Sequence, residues 1–173
     1  MIKPLLAGLI GALMMIAGAT LASGYHAAAH EDHEYPEARS YAVSKDAVAD
    51  VDVAMARAME TNKRALIVMG ANWCHDSRAL AGWLGTPRFA SLVEREYELV
   101  FVNVGMPQSG DGHNLEVARR FGIDELPGTP NLLVVTPQGA IVNADTATTW
   151  RNAASRSEDA IYEELERLAK QPV

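Results

Sequence analysis

Two hydrophobic rhythms alternate along the chain from Ser44 onward. Val48, Val51, Met55 and Met59, with Ala58 beside the last, recur every three or four positions, the period of one helix face. Ser44 suits the N-cap, so a helix is predicted from there to about Glu60, ended by Thr61-Asn62-Lys63-Arg64. Ala65-Leu66-Ile67-Val68-Met69 is instead an unbroken apolar run, as expected of a short strand covered on both faces. A helix is predicted next, over about Cys74 to Leu84. Gly85 breaks it, and Thr86-Pro87 restarts another that turns Phe89, Leu92 and Val93 inward. Glu98 to Val104 reads as a second buried strand, Gly105 to His113 as a loop, and Asn114 as the cap of a short helix through Phe121. Asn131 to Thr136 reads as a third strand. Pro137-Gln138-Gly139 is a turn, with Ala140 to Asn143 as its hairpin partner. Ile161, Leu165 and Leu168 place a last helix over about Ser157 to Lys170.

Strands that alternate with helices predict an α/β domain over 44–173. Its sheet should be mixed, a parallel core with helices on both faces and an antiparallel edge from the Pro137-Gln138-Gly139 hairpin. Two segments precede it. Residues 1–24 read as a signal peptide: Lys3, the uncharged stretch Leu5 to Ala22, then small residues at Ala22-Ser23-Gly24. The stretch approaches the roughly 20 residues that span a bilayer, so an uncleaved anchor is the competing reading. Either way the domain is expected to be exported, to a bacterial periplasm. Residues 25–43 read as a polar lead-in with His26, His30 and His33 among carboxylates. On a helix these imidazoles would share one side and could meet a transition metal. Nothing in the segment holds them rigid, so a solvated linker without metal is preferred.

Composition narrows the function classes only a little. With 49% apolar and 21% charged residues the chain is an ordinary globular one. A net charge of −7 supplies no basic face for nucleic acid. The cysteine count says more, because Cys74 is the only one in 173 residues. Oxidising compartments usually pair cysteines, so an exported lone thiol is either a buried passenger or a reactive group. Cys74 falls where a strand hands over to a helix, whose positive N-terminal end favours a thiolate. With no second cysteine, any redox role must pass through a bond to another molecule. Ser77, three residues on, shares its side of the first helical turn and offers a hydroxyl to the sulfur. It cannot resolve a mixed disulfide. His75, as a donor, would also favour an anionic sulfur, whereas Asp76 would oppose it. The catalytic candidates are therefore Cys74, Ser77 and His75.

Trp73-Cys74-His75-Asp76-Ser77, opening a helix after a buried strand, combines with Gly128-Thr129-Pro130 directly before the strand Asn131-Leu132-Leu133-Val134-Val135. Together they resemble the thioredoxin superfamily, over about Ser44 to Lys170, and the stretch GANWCHDSRAL is similar to an exported thioredoxin-like group. The resemblance implies a thioredoxin-like fold with Pro130 in the cis form against the thiol. It also implies a groove in which the backbone before that proline pairs with an extended partner segment. Trp73, Thr129 and Pro130 are the implied substrate-binding residues. Three positions depart from the family pattern. Ser77 replaces the resolving cysteine, Val68 replaces a buried Asp, and His75-Asp76 replaces Gly-Pro.

The implied chemistry is that of a monothiol. Its partner would be a disulfide- or thiol-bearing protein or a low-molecular-weight thiol such as glutathione. No bound cofactor is expected, and membrane contact only through an uncleaved N-terminal segment. A non-catalytic binding module for extended protein segments is the competing reading, and a metal-handling accessory protein a third. Trp83 and Trp150 read as packing residues and His113 as a solvated one.

Overall fold

Leu66 and Val68 face one side of the central strand, Ala65, Ile67 and Met69 face the other, and all five are fully buried. This is the two-residue period of a strand with both faces covered, which is why the run carries no polar interruption. The computed structural model describes residues 35–172. The signal-type segment and His26, His30 and His33 lie outside the described residues. In chain order the elements are α1 (Ala47–Thr61), β1 (Arg64–Gly70), α2 (His75–Leu84), α3 (Pro87–Glu96) and β2 (Tyr97–Asn103). A small hairpin follows, β3 (Gly105–Met106) and β4 (Asp111–Gly112), then α4 (Leu115–Arg120), β5 (Asn131–Val135) and α5 (Glu158–Lys170).

Among the described residues the main sheet runs β2-β1-β5, with β2 parallel and β5 antiparallel to β1. Helices α1 and α4 cover one face through Val51, Met55, Val117 and Ala118. Helices α2, α3 and α5 cover the other through Leu80, Phe89, Leu92, Ile161 and Leu165. Trp150 is fully buried in this second layer beneath the Arg156 guanidinium, 4.4 Å from the ring centroid.

Several expectations change in detail. Asp46, not Ser44, caps α1: its Oδ1 accepts from the Ala49 N–H at 2.9 Å, while the Ser44 hydroxyl accepts from the Asp46 N–H. Met59 is exposed and Ala58 takes the core position beside it. Strand β2 is half-buried along most of its length because it forms the edge of the sheet. The parallel core is limited to β1–β2, since β5 already runs antiparallel. The expected hairpin partner Ala140 to Asn143 makes one bridge, Val135 to Ile141. Its ladder is completed by a side chain instead. Buried Asn143 accepts from the Val134 N–H at 2.8 Å and donates to the Leu132 carbonyl at 2.9 Å.

The lead-in is also corrected at its C-terminal end. Tyr41 is fully buried and meets Phe101 edge-on at 5.3 Å. The Ala38 N–H donates to the Arg78 carbonyl, and Glu37 pairs with Arg78. Residues 36–41 therefore form a strap on the domain rather than a solvated linker. A buried aromatic there supplies apolar contact that the polar composition of 25–43 concealed.

Candidate active site

Helix α2 opens at the C-terminal end of β1, and Cys74 is its N-cap residue. The Cys74 N–H donates to the Ala71 carbonyl at 3.1 Å, and the Cys74 carbonyl accepts from the Arg78 N–H at 3.1 Å. The thiol does not cap the helix. The first-turn N–H groups, which have no partner within a helix, remain to receive negative charge on the sulfur. The thiol donates to the Thr129 carbonyl oxygen at 3.3 Å, and Cys74 is 7% exposed. The Thr129–Pro130 peptide is cis, and both residues are buried. The fold thus brings Cys74, Thr129 and Pro130 together across 55 positions of sequence.

Trp73 lies beside them, 50% exposed, with its indole N–H donating to the Gly105 carbonyl at 3.0 Å. Ser77 is fully buried and points elsewhere than expected. Its hydroxyl accepts from the Ala71 N–H at 3.4 Å rather than bonding the sulfur. His75 is exposed, and its ring nitrogen meets Asp76 Oδ2 at 3.2 Å instead of turning to the thiol. Asp76 is buried and uses its other oxygen to accept from the Ala154 N–H at 2.8 Å, tying the turn after Trp150 to α2. Trp83 packs in a tilted pair with Phe89, in keeping with the packing role read for it. His113 stacks over Gly105 and shares the Asn103 side-chain oxygen with the Gly105 N–H.

Local sequence reasoning missed a brace around the thiol formed by Tyr41, Asn72, Asn103 and Arg78. The Asn72 side chain bonds both the N–H and the carbonyl of Tyr41, at 3.1 and 2.9 Å. The Asn103 amide donates to the same carbonyl at 3.2 Å. The Tyr41 hydroxyl donates to the Ser77 carbonyl at 3.1 Å. Burial pushes the Tyr41 phenol far above its ordinary value. Arg78 closes the brace by donating to the carbonyls of Asn72 and Trp73 while paired with Glu37. That hydrogen bond holds the Glu37 carboxyl below its ordinary value. Among the described residues, no group of three or more His, Cys, Asp or Glu side chains gathers as a metal site. Nor, among them, is any helix long and apolar enough to cross a membrane.

A strand-to-helix thiol facing Thr-Pro on a mixed sheet layered by helices defines the thioredoxin-like class. A family model described as thioredoxin-like matches residues 46–137, just over half of the chain, and the chain belongs to that family. A crystal structure of a disulphide isomerase from Xylella fastidiosa Temecula1 is similar to it. The two chains are 30% identical with a TM-score of 0.67, over 77% of this chain and 100% of that one. Comparison with curated protein sequences returns no match.

Proposed function

We propose that this protein acts by thiol–disulfide exchange through Cys74 alone. The observation that carries the reading is the Cys74 thiol at the head of α2, against the Thr129 carbonyl, in a chain with no other cysteine. The similarity to a disulphide isomerase supports the same class of chemistry. In the forward step the Cys74 sulfur, as thiolate, attacks one sulfur of a partner disulfide. A Cys74–partner bond forms, and the other partner sulfur leaves as a thiolate and takes up a proton. A thiol of the same partner, or an external thiol such as glutathione, then attacks the mixed disulfide and regenerates Cys74. Return to a different partner sulfur is isomerisation, with no net electron flow. Ser77 offers no internal route of release.

Trp73, Thr129 and Pro130 would hold the extended partner segment, and His75 would act from the rim rather than on the sulfur. Residues 1–24 support export of the domain, which cell fractionation of the tagged full chain tests. The test of the chemistry is reshuffling of a protein with scrambled disulfides. The full chain should speed recovery of the native pairing, and Cys74→Ala should abolish the effect. Equal recovery with Cys74→Ala would overturn the reading. The 7% exposure of Cys74 favours a second reading, a non-catalytic module that holds extended segments. Segment binding that survives in Cys74→Ala, with no reshuffling by either form, is its signature.

A further inference from the structure

A groove of about 350 Å³ lies between the segment after β3 and the segment that runs into Thr129. Pro107, Gln108 and Leu115 form one wall, and the segment Asp124–Pro127 forms the other. Both walls reach Cys74 by short routes. The second runs through Gly128 into Thr129, whose carbonyl meets the sulfur. The first follows the β3–β4 hairpin, which is fastened to Trp73 through the Gly105 carbonyl. Trp73 is 50% exposed and Met106, next to Pro107 in the chain, 41%, so the surface between the thiol-bearing turn and the first wall is apolar.

The hairpin wall is held in shape. The Asn103 amide oxygen takes the Gly105 N–H at 3.0 Å and contacts the His113 ring at 3.2 Å. Gly105 has φ +62°, and a Cβ there would sit 2.5 Å from the Asp111 carbonyl, so only glycine fits. The opposite wall carries Asp124 and Glu125, both exposed and without an ion-pair partner among the described residues. Arg151 lies over Gly128 and reaches toward the Pro127 carbonyl at 3.5 Å, outside the groove lining. Two carboxylates unpaired among the described residues therefore stand on a wall whose chain continues, through Gly128, into the residue that hydrogen-bonds the sulfur.

We propose that this groove selects extended partner segments in which a Lys or Arg lies two to five residues from the reactive cysteine. The proposal names the substrate class for the exchange proposed above and rests on that reading for its chemistry. Asp124 and Glu125 stand five and four positions from Thr129. An extended chain advances about 3.3–3.6 Å per residue and the wall can be no longer than that, so an extended partner lying along it meets them within five residues. The chain's net charge of −7 steers a basic segment toward the site.

The test uses the full chain and labelled peptides with serine at the cysteine position, so that binding is read without chemistry. One peptide carries Lys and Arg three and four residues away, and its twin carries Glu there. Fluorescence anisotropy at low salt should show the basic peptide binding about tenfold tighter. The preference should fade at about 1 M salt, where screening shortens to a few ångströms. It should also disappear in the double variant Asp124→Asn, Glu125→Gln. Equal binding of the twins, or a preference that survives the double variant, overturns the proposal. Cysteine versions, supplied as mixed disulfides with glutathione, report exchange separately. A charge preference without exchange would sink the exchange reading and leave the groove standing. Exchange without a charge preference would do the reverse.

Discussion

The Tyr41 hydroxyl donates to the Ser77 carbonyl at 3.1 Å, fastening the strap 36–41 beneath the first turn of the thiol-bearing helix. Gly70 is what leaves room for it. A Cβ at that position would lie 2.6 Å from Tyr41 Cε1 and 2.7 Å from Ser77 Oγ. Both neighbours are fully buried and cannot retreat into solvent. Gly70→Ala should destabilise the domain by about 1–3 kcal/mol, the usual cost of overpacking a core. Urea denaturation of wild type and variant checks this, and unchanged stability would mean that the strap does not press on Gly70.

Alkaline pH should loosen the fold through two tyrosines. Burial raises both the Tyr41 and the Tyr97 phenols above their ordinary value of 10, and each donates to a backbone carbonyl. Above pH 10 the unfolded chain loses these protons while the folded chain keeps them. Unfolding is then favoured as the pH rises, and the stability present below pH 10 is progressively lost. Each tyrosine contributes a slope of about 1.4 kcal/mol per pH unit. Tyr41→Phe should remove its share of that slope, whatever it does to stability at neutral pH. Chemical denaturation from pH 8 to 11 reads the difference, and identical slopes would refute the assignment.

Asn143 completes the outer edge of β5 with its side chain. Its replacement by Leu leaves the Val134 N–H and the Leu132 carbonyl without those partners in a buried site. A loss of about 2–6 kcal/mol is expected, two unmet buried groups at about 1–3 kcal/mol each. Amide hydrogen exchange at Val134 should accelerate in the variant. Unaltered protection there would show that the backbone of 140–143 can supply the ladder itself.

Ser77→Cys should convert the mechanism. A thiol three residues after Cys74, on the same helical turn, can attack a Cys74 mixed disulfide from within the molecule. The long-lived adducts expected of wild type should then collapse into an internal disulfide, with release of the reduced partner. Thiol titration of the variant after it is separated from the substrate checks this, since it should lose both of its thiols while the partner gains two. An adduct as persistent as that of wild type would mean that residue 77 cannot reach the sulfur. Its hydroxyl now faces the Ala71 N–H, so the new thiol must turn to do so.

What was legible in the sequence is what is decided locally. The apolar run 65–69 and the helical spacing of α1 and α5 follow from neighbours a few residues apart, and those elements formed as expected. Strand β2 carries a similar run, but its edge position depends on which strands pair, and burial fell accordingly. Asn114 stands at the cap position of α4, yet it adopts φ 56° and donates to the Asn103 carbonyl. Tyr41 is placed by Asn72, Ser77 and Asn103, 31 to 62 positions away, which no short-range pattern reveals. The juxtaposition of Cys74 and Thr129 was readable only through the family resemblance. The turning away of Ser77 and His75 from the sulfur was not readable at all.

The most direct test is intact mass under acid-quenched, non-reducing conditions after the full chain meets a disulfide-bearing peptide. The account predicts a covalent one-to-one adduct on wild type that an added thiol removes and that Cys74→Ser never forms. A wild-type chain that stays unmodified, while Cys74 reacts once the protein is denatured, would contradict it and leave a thioredoxin-like module that binds without exchange.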